Sequence, residues 1–164
     1  MQHGMQAFAA RERDAWRDSA RAALASGTAA SVATAATLAF GGVAQGNDPL
    51  TPMNGPSQWL WGRRAAHLRE RSMRHTAVGY AIHHATSVMW ATVFERLRRI
   101  RPGTPSTLAA AAATSAIAYV VDYKVVPQRL QPGFDVQVSR RTLGAFYVSF
   151  AAALAAAAWS RRRA

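Results

Sequence analysis

Hydrophobic and small residues dominate four long stretches of the chain, and none of these stretches contains a charged side chain. The four charge-free windows are Ala22–Asn47, His75–Phe94, Pro102–Val121 and Thr142–Ser160. They cover more than half of the 164 residues, yet all 20 Lys and Arg and all 8 Asp and Glu lie outside them. A charged side chain at the centre of a bilayer costs roughly 2.5–3.5 kcal/mol, whereas a soluble helix can carry charges on its wet face. The pattern therefore predicts helices that cross a membrane.

The windows predict an all-α fold, in which one domain forms an integral membrane bundle of four antiparallel transmembrane helices. The predicted spans cover about residues 22–42, 75–94, 105–126 and 142–159. Residues 1–21 are expected to form an interfacial or flexible N-terminal segment. Residues 43–72 are expected to form a long interfacial loop, because Pro52, Pro56 and the Asn-Gly pair between them oppose a regular helix. The first window is interpreted as a retained span and not as a cleaved signal, because three acidic residues precede it.

Alanine dominates the windows, so each predicted span is only weakly apolar. The mean hydropathy of the chain is −0.07, because 19 arginines crowd the connections. Small residues recur at four-residue spacing in three predicted spans: Gly27, Ser31 and Ala35; Ala110, Thr114 and Ala118; Ala145, Ser149, Ala153 and Ala157. Small residues let helix backbones approach each other closely in lipid. Close helix packing is therefore expected to hold the bundle together.

The formal net charge of +12 is concentrated at the edges of the windows. Arg96, Arg98, Arg99 and Arg101 follow the second window, and residues 161–163 add three arginines after the fourth. Such clusters are expected to contact the anionic headgroups of the lipid bilayer. Nucleic-acid-binding proteins spread their basic residues along a helix face. A basic soluble helical protein that binds nucleic acid is therefore the less favoured class, and no nucleic acid is expected as a partner.

Four spans would place both termini on one side of the membrane. That side, with the second connection, holds 11 of the 20 basic residues, and the other side holds 9. The second connection is short and dense in arginine, which favours a cytoplasmic location for both termini under the positive-inside rule. The predicted location is the bacterial inner membrane, in a multi-pass protein.

A candidate polar cluster lies within or beside the windows and comprises Tyr80, His83, His84 and Asp122. Ionisable groups at membrane depth are functional-site candidates by default. His83 and His84 are the candidate metal ligands, since neutral imidazole binds haem iron, zinc and copper and can also relay protons. Helix rise places Tyr80, His83 and Asp122 at nearby levels in the bundle. The alternatives are a hydrogen bond from His83 to a neighbouring helix, and an Asp122 that is hydrated or paired with Lys124.

No cofactor is predicted from these residues. Adjacent side chains on a helix diverge by about 100°, so one metal ion would rarely bind both histidines. No other window contains a histidine that could complete a bis-histidine haem site within one chain. The chain has no cysteine, which excludes thiolate catalysis and thiolate metal sites.

A candidate loop site comprises Asn54, Trp59 and Trp61 in the first connection. The alternative is that the two tryptophans anchor this loop at the level of the lipid headgroups. The sequence contains no phosphate-binding glycine loop, no His-Glu-x-x-His motif, no nucleophile elbow and no pair of carboxylates within the windows. An enzyme is therefore not the favoured interpretation.

Three segments carry a resemblance to known proteins: Thr51–Gly62 (TPMNGPSQWLWG), Gly79–His84 (GYAIHH) and Val121–Phe134 (VDYKVVPQRLQPGF). Over about residues 20–160 the chain resembles a group of small uncharacterised bacterial inner-membrane proteins. The resemblance implies an inner-membrane protein with four spans. It implies no activity.

The sequence leads to three functional hypotheses. The favoured one is a small inner-membrane protein that is not an enzyme, an accessory or oligomer-forming component whose polar cluster fixes helix packing. A homo-oligomer or a membrane partner is then expected in addition to the bilayer. The alternative is a membrane-embedded site on His83, His84 and Asp122 that binds a metal or haem, or handles protons. The second alternative is the basic soluble protein described above.

Overall fold

The computed structural model describes residues 2–100 and 102–163, and this part of the chain contains helices and no β-strand. The α-helices are α1 (Gln2–Val43), α2 (Gln58–Trp61), α3 (Arg63–Ala66), α4 (Met73–Ile100), α5 (Thr104–Val120) and α6 (Arg140–Arg163). A π-helical turn, Val121–Val125, extends α5, and three 3₁₀ helices cover Thr51–Ser57, Gln128–Leu130 and Phe134–Val136. The all-α prediction is confirmed. Arg101 and the side chains of Arg162 and Arg163, from the predicted arginine clusters, lie outside the described part.

Three of the helices are long and apolar enough to cross a membrane. They are Phe8–Val43, Thr104–Val125 and Arg140–Arg161. Helix α4 is 28 residues long, but three histidines and several hydroxyl-bearing residues lower its hydropathy. Composition thus supports a membrane protein with three apolar helices, and the fourth predicted span needs a separate argument.

The N-terminal segment is not separate from the first predicted span. Residues 2–43 form one continuous helix of 42 residues. The sequence has no proline before Pro49 and is rich in alanine, so nothing interrupts the helix at the charged segment. The first turns of α1 pack beside the end of α4, where Arg96 pairs with Glu12 at 2.7 Å and lies over the ring of Trp16.

The four long helices form a ring in which each has two neighbours. Helix α1 packs against α4 and α6, and α5 packs against the same two helices, so that α1 and α5 lie diagonally across the bundle. Gly27 brings α1 close to α4, since a Cβ at Gly27 would lie 2.6 Å from the Cα of Val88. The small stripe of α5 is buried, whereas α6 buries larger side chains such as Phe146, Phe150 and Leu154.

Hydrogen bonds between side chains line the contact of α1 with α4. Ser26 donates to Glu95 over 2.9 Å, Thr34 lies 3.0 Å from the ring of His83, and Ser31 lies 3.4 Å from the hydroxyl of Tyr80. We call this set the polar seam: Ser26, Ser31 and Thr34 of α1, and Tyr80, His83, His84 and Glu95 of α4. The seam satisfies polar groups that would otherwise be buried without partners.

Glu95 joins three helices at one end of the bundle. Its side chain is fully buried and accepts hydrogen bonds from Ser26 of α1, from Arg98 at 2.6 Å and from Arg161 of α6. A buried carboxylate is stable only when it is paired and hydrogen-bonded. From the sequence, Glu95 is one of several charged residues in the second connection, because no local pattern indicates that its side chain is buried.

The two long connections, residues 44–72 and 126–139, pack together over the other end of the bundle, and we call them the cap. The first was predicted as an interfacial loop, but its Thr51–Ser57 segment is a 3₁₀ helix of seven buried residues that packs on α4. Three amide side chains supply hydrogen bonds to the irregular backbone: Asn54 to the carbonyls of residues 68 and 70, Gln58 to those of 128 and 131, and Gln137 to those of 66 and 68. Buried irregular backbone needs such donors.

Gly79 controls how closely the cap approaches α4. A Cβ at Gly79 would overlap the carbonyl oxygen of Met53, whereas a Cβ at Gly144 of α6 would meet nothing within 4 Å. We expect Gly79→Ala to lower the free energy of unfolding in detergent by about 1–3 kcal/mol, as overpacking does. The matched variant Gly144→Ala should leave it unchanged or raise it slightly, because alanine favours helix. Thermal unfolding of both variants measures the difference, and equal melting temperatures would contradict this packing.

Candidate functional site

A cavity lies between α4, α5, α6 and the cap. Its internal volume is about 40 Å³, and it reaches about 470 Å³ when the open solvent at its mouth is counted. Six aromatic side chains line it: Trp59, Trp90, Phe134, Phe146, Tyr147 and Phe150. Its polar wall comprises His83, Thr86, Ser87 and Asp122. Small-molecule sites in proteins are mostly apolar, with a few polar groups.

His83 is buried, and its hydrogen bonds determine which nitrogen carries the proton. Nε2 lies 3.2 Å from the carbonyl oxygen of Ser31 and 3.0 Å from Oγ1 of Thr34. A carbonyl can only accept, and Thr34 donates its own hydrogen to the carbonyl of Ala30 at 2.7 Å. We therefore assign the hydrogen to Nε2 of a neutral ring. Within the described residues, Nδ1 makes no hydrogen bond, and it is the nitrogen left for a ligand.

Asp122 belongs to a different hydrogen-bonded group. It lies in the π-helical turn that extends α5, and its Oδ2 accepts from the hydroxyl of Tyr147 at 2.7 Å. Among the described residues, no hydrogen bond joins Asp122 to His83 and no ion pair joins it to Lys124. His83 and Asp122 nevertheless line the same cavity. Short π-helical insertions occur often at functional sites.

Tyr80 and His84 lie with the polar seam. The hydroxyl of Tyr80 is 3.4 Å from Oγ of Ser31, and Nδ1 of His84 is 3.3 Å from the same oxygen. The rings of Tyr80 and His84 stack with centroids 6.2 Å apart. The predicted cluster is therefore divided: Tyr80, His83 and His84 bond to α1, and Asp122 bonds to α6.

The three residues of the candidate loop site have different environments and do not form one site. Asn54 is buried in the cap, where it also accepts a hydrogen bond from Thr76 of α4 at 2.8 Å. Trp59 lines the cavity, and its indole nitrogen is buried without a hydrogen-bond partner in the described part of the chain. Trp61 packs against the ring of His75 at 4.6 Å and beneath Arg74. Only Trp59 of the three reaches the cavity.

Most of the aromatic residues that line the cavity were not predicted from the sequence as site residues. Phe134 is buried and lies 5.7 Å from the ring of His83. Phe146 lies 5.8 Å from His83 and 5.1 Å from Phe134. The spacing of Phe146, Tyr147 and Phe150 on one face of α6 was the available signal. This spacing is ambiguous in the sequence, because aromatic residues in a predicted span can equally well face lipid.

The described residues do not form a conventional metal site. No group of three or more His, Asp or Glu side chains in the described ranges could hold a metal ion. Nε2 of His83 is occupied by α1, and Nδ1 of His84 faces Ser31. Each of the two histidines therefore has one ring nitrogen engaged with α1.

The described part of the chain is all-helical, with three membrane-compatible helices and an aromatic-lined cavity bordered by one carboxylate. Comparisons with protein-family models, curated proteins and solved structures found no match. The chemistry of the cavity therefore rests on its own residues.

The bond between His83 and Thr34 can be measured by a double-mutant cycle. We expect Thr34→Val and His83→Leu to lower the melting temperature in detergent, with a coupling energy of about 0.6–1.7 kcal/mol, the range seen for hydrogen bonds between membrane helices. Thr28→Val is the matched control, because Thr28 is exposed on α1 and donates only to the carbonyl of Leu24. It should be additive with His83→Leu. Additivity of Thr34→Val as well would show that the seam bond contributes nothing.

Proposed function

We propose that the chain is a four-pass protein of the bacterial inner membrane that binds a small molecule in its cavity and does not act as an enzyme. The observation that carries the proposal is the composition of the cavity, which is lined by six aromatic side chains and few polar groups. Sites of this composition bind ligands by apolar contact and use their few polar groups for orientation.

The surface of α4 supports a fourth span. In the charge-free window 75–94 the exposed residues are Ala77, Ala81, Ala85 and Met89, and all four are apolar. The polar groups of the window turn towards α1, the cap and the cavity. A helix that is apolar on its outer face and hydrogen-bonded on its inner face is compatible with lipid, whatever its mean hydropathy.

Ion pairs support the predicted orientation. Glu12 near the start of α1 pairs with Arg96 near the end of α4, and Glu95 of α4 pairs with Arg161 near the end of α6. The arginine-rich connection and both terminal segments of the chain therefore belong to one side, while the cap belongs to the other. Under the positive-inside rule the arginine-rich side is cytoplasmic, where it would contact anionic headgroups.

A binding role suits the polar groups better than catalysis does. Catalytic sites place a nucleophile beside a base, or an acid and a base around a reacting atom. In the described residues, the imidazole of His83 donates to α1 and Asp122 accepts from Tyr147, so neither activates the other. The expected homo-oligomer or membrane partner stays a prediction.

Single-cysteine labelling tests the four-pass topology. The chain has no cysteine, so a variant carries one thiol, and Asp14, Gln45, Arg99 and Gln128 are exposed positions for it. In intact spheroplasts, a membrane-impermeant maleimide should label Cys at positions 45 and 128. It should label positions 14 and 99 only after permeabilisation. If α4 did not cross, position 99 would be labelled from outside and position 128 protected.

Two probes test the binding role: choline and its uncharged carbon isostere, 3,3-dimethylbutan-1-ol. At least one should saturably change the tryptophan fluorescence of the detergent-purified protein and raise its melting temperature, since Trp59 and Trp90 line the cavity. Ala118→Phe should abolish binding of both, because buried Ala118 lines the cavity. Ser87→Leu fills the same space from α4 and replaces Ala118→Phe if that variant does not fold. Failure of both probes with the wild-type protein would refute this role.

A further inference from the structure

We propose that the ligand of the cavity is a small organic cation, an alkylated ammonium group that pairs with the carboxylate of Asp122 and packs against the aromatic walls. This inference rests on the proposed binding function and names its ligand class.

Asp122 has no cationic partner in the described chain. Its polar contact there is the hydroxyl of Tyr147, which stabilises the ionised carboxylate without neutralising it. The fully buried carboxylate of Glu95, by contrast, is paired with two arginines, whereas Asp122 is only partly buried. A carboxylate at this depth needs a compensating charge. The protein supplies that charge to Glu95 and leaves Asp122 facing a cavity.

The residues that line the cavity favour a cation over an anion or a neutral apolar molecule. Asp122 is the one charged residue among the described residues that line the cavity, and six aromatic rings surround the same space. The face of an aromatic ring attracts a cation, and aromatic cages are the usual receptors for quaternary ammonium groups. An anion would find no basic residue among these lining side chains, and a neutral apolar molecule would leave the carboxylate uncompensated.

The ligands that the cavity offers suit an organic cation better than a metal ion. Calcium takes six to eight oxygen ligands and magnesium requires a near-octahedral set. The cavity offers one carboxylate, and the hydroxyl of Thr86 already donates to the carbonyls of residues 82 and 83. A quaternary ammonium group needs no directed ligands. The buried indole nitrogen of Trp59, a donor without a partner in the described chain, could meet a hydroxyl oxygen on the same ligand.

The test compares the affinities of choline and 3,3-dimethylbutan-1-ol, which have the same shape and differ in charge. By titration calorimetry in detergent, we expect the wild-type protein to bind choline at least about ten-fold more tightly. Asp122→Asn should remove this preference while the uncharged probe still binds. Asp135→Asn is the matched control, because Asp135 lies in the cap and does not line the cavity. It should keep the preference.

A second variant keeps the test decisive if Asp122→Asn does not fold. Phe150→Leu preserves an apolar wall and removes one ring, so choline should bind several-fold more weakly while the uncharged probe changes little. Equal affinity of the two probes for the wild-type protein would overturn the cation proposal and leave the binding function intact. A preference that survives Asp122→Asn would also overturn it. Failure of both probes would refute the cation proposal together with the binding function.

Discussion

The polar seam between α1 and α4 is the interaction on which the rest of the bundle depends. Helix α4 carries more polar groups than a lipid-facing helix can expose, and the seam satisfies them against Ser26, Ser31 and Thr34. The close approach at Gly27 brings the two backbones near enough for these short side chains to reach across. The seam occupies one side of α4, Thr76 of that helix bonds to the cap, and Thr86 and Ser87 line the cavity. The exposed residues of the window 75–94 are all apolar.

The cap completes what the seam begins. Gly79 lets the buried 3₁₀ helix lie directly on α4. The amide side chains of Asn54, Gln58 and Gln137 donate hydrogen bonds to the irregular backbone elsewhere in the cap. This arrangement closes the space between α4, α5 and α6 with aromatic rings, so that a cavity forms beneath the cap. Packing and polar satisfaction therefore create the candidate site as a consequence of folding, and the carboxylate of Asp122 gives the site its charge.

The sequence predicted the candidate site unevenly. His83 and Asp122 were identified because ionisable residues stand out in or beside charge-free windows, and both line the cavity. Their mutual pairing was inferred from level along the helices alone, and the structure connects each to a different helix. Helix rise determines height in a bundle, but rotation about the helix axis determines which neighbour a side chain meets. Tyr147, about two turns into α6, was not predicted as a partner of Asp122 because that contact depends on helix rotation.

What the sequence determined by itself was the helical fold and the apolar windows. These follow from local rules, since hydropathy, charge exclusion and proline placement act over one helix at a time. Tertiary structure alone decided that Glu95 is buried with two arginines, that Asn54 stabilises the cap and that Asp122 faces aromatic rings. Each depends on residues distant in sequence, and the free energy of a buried polar group is set by the partners that the packed helices bring to it.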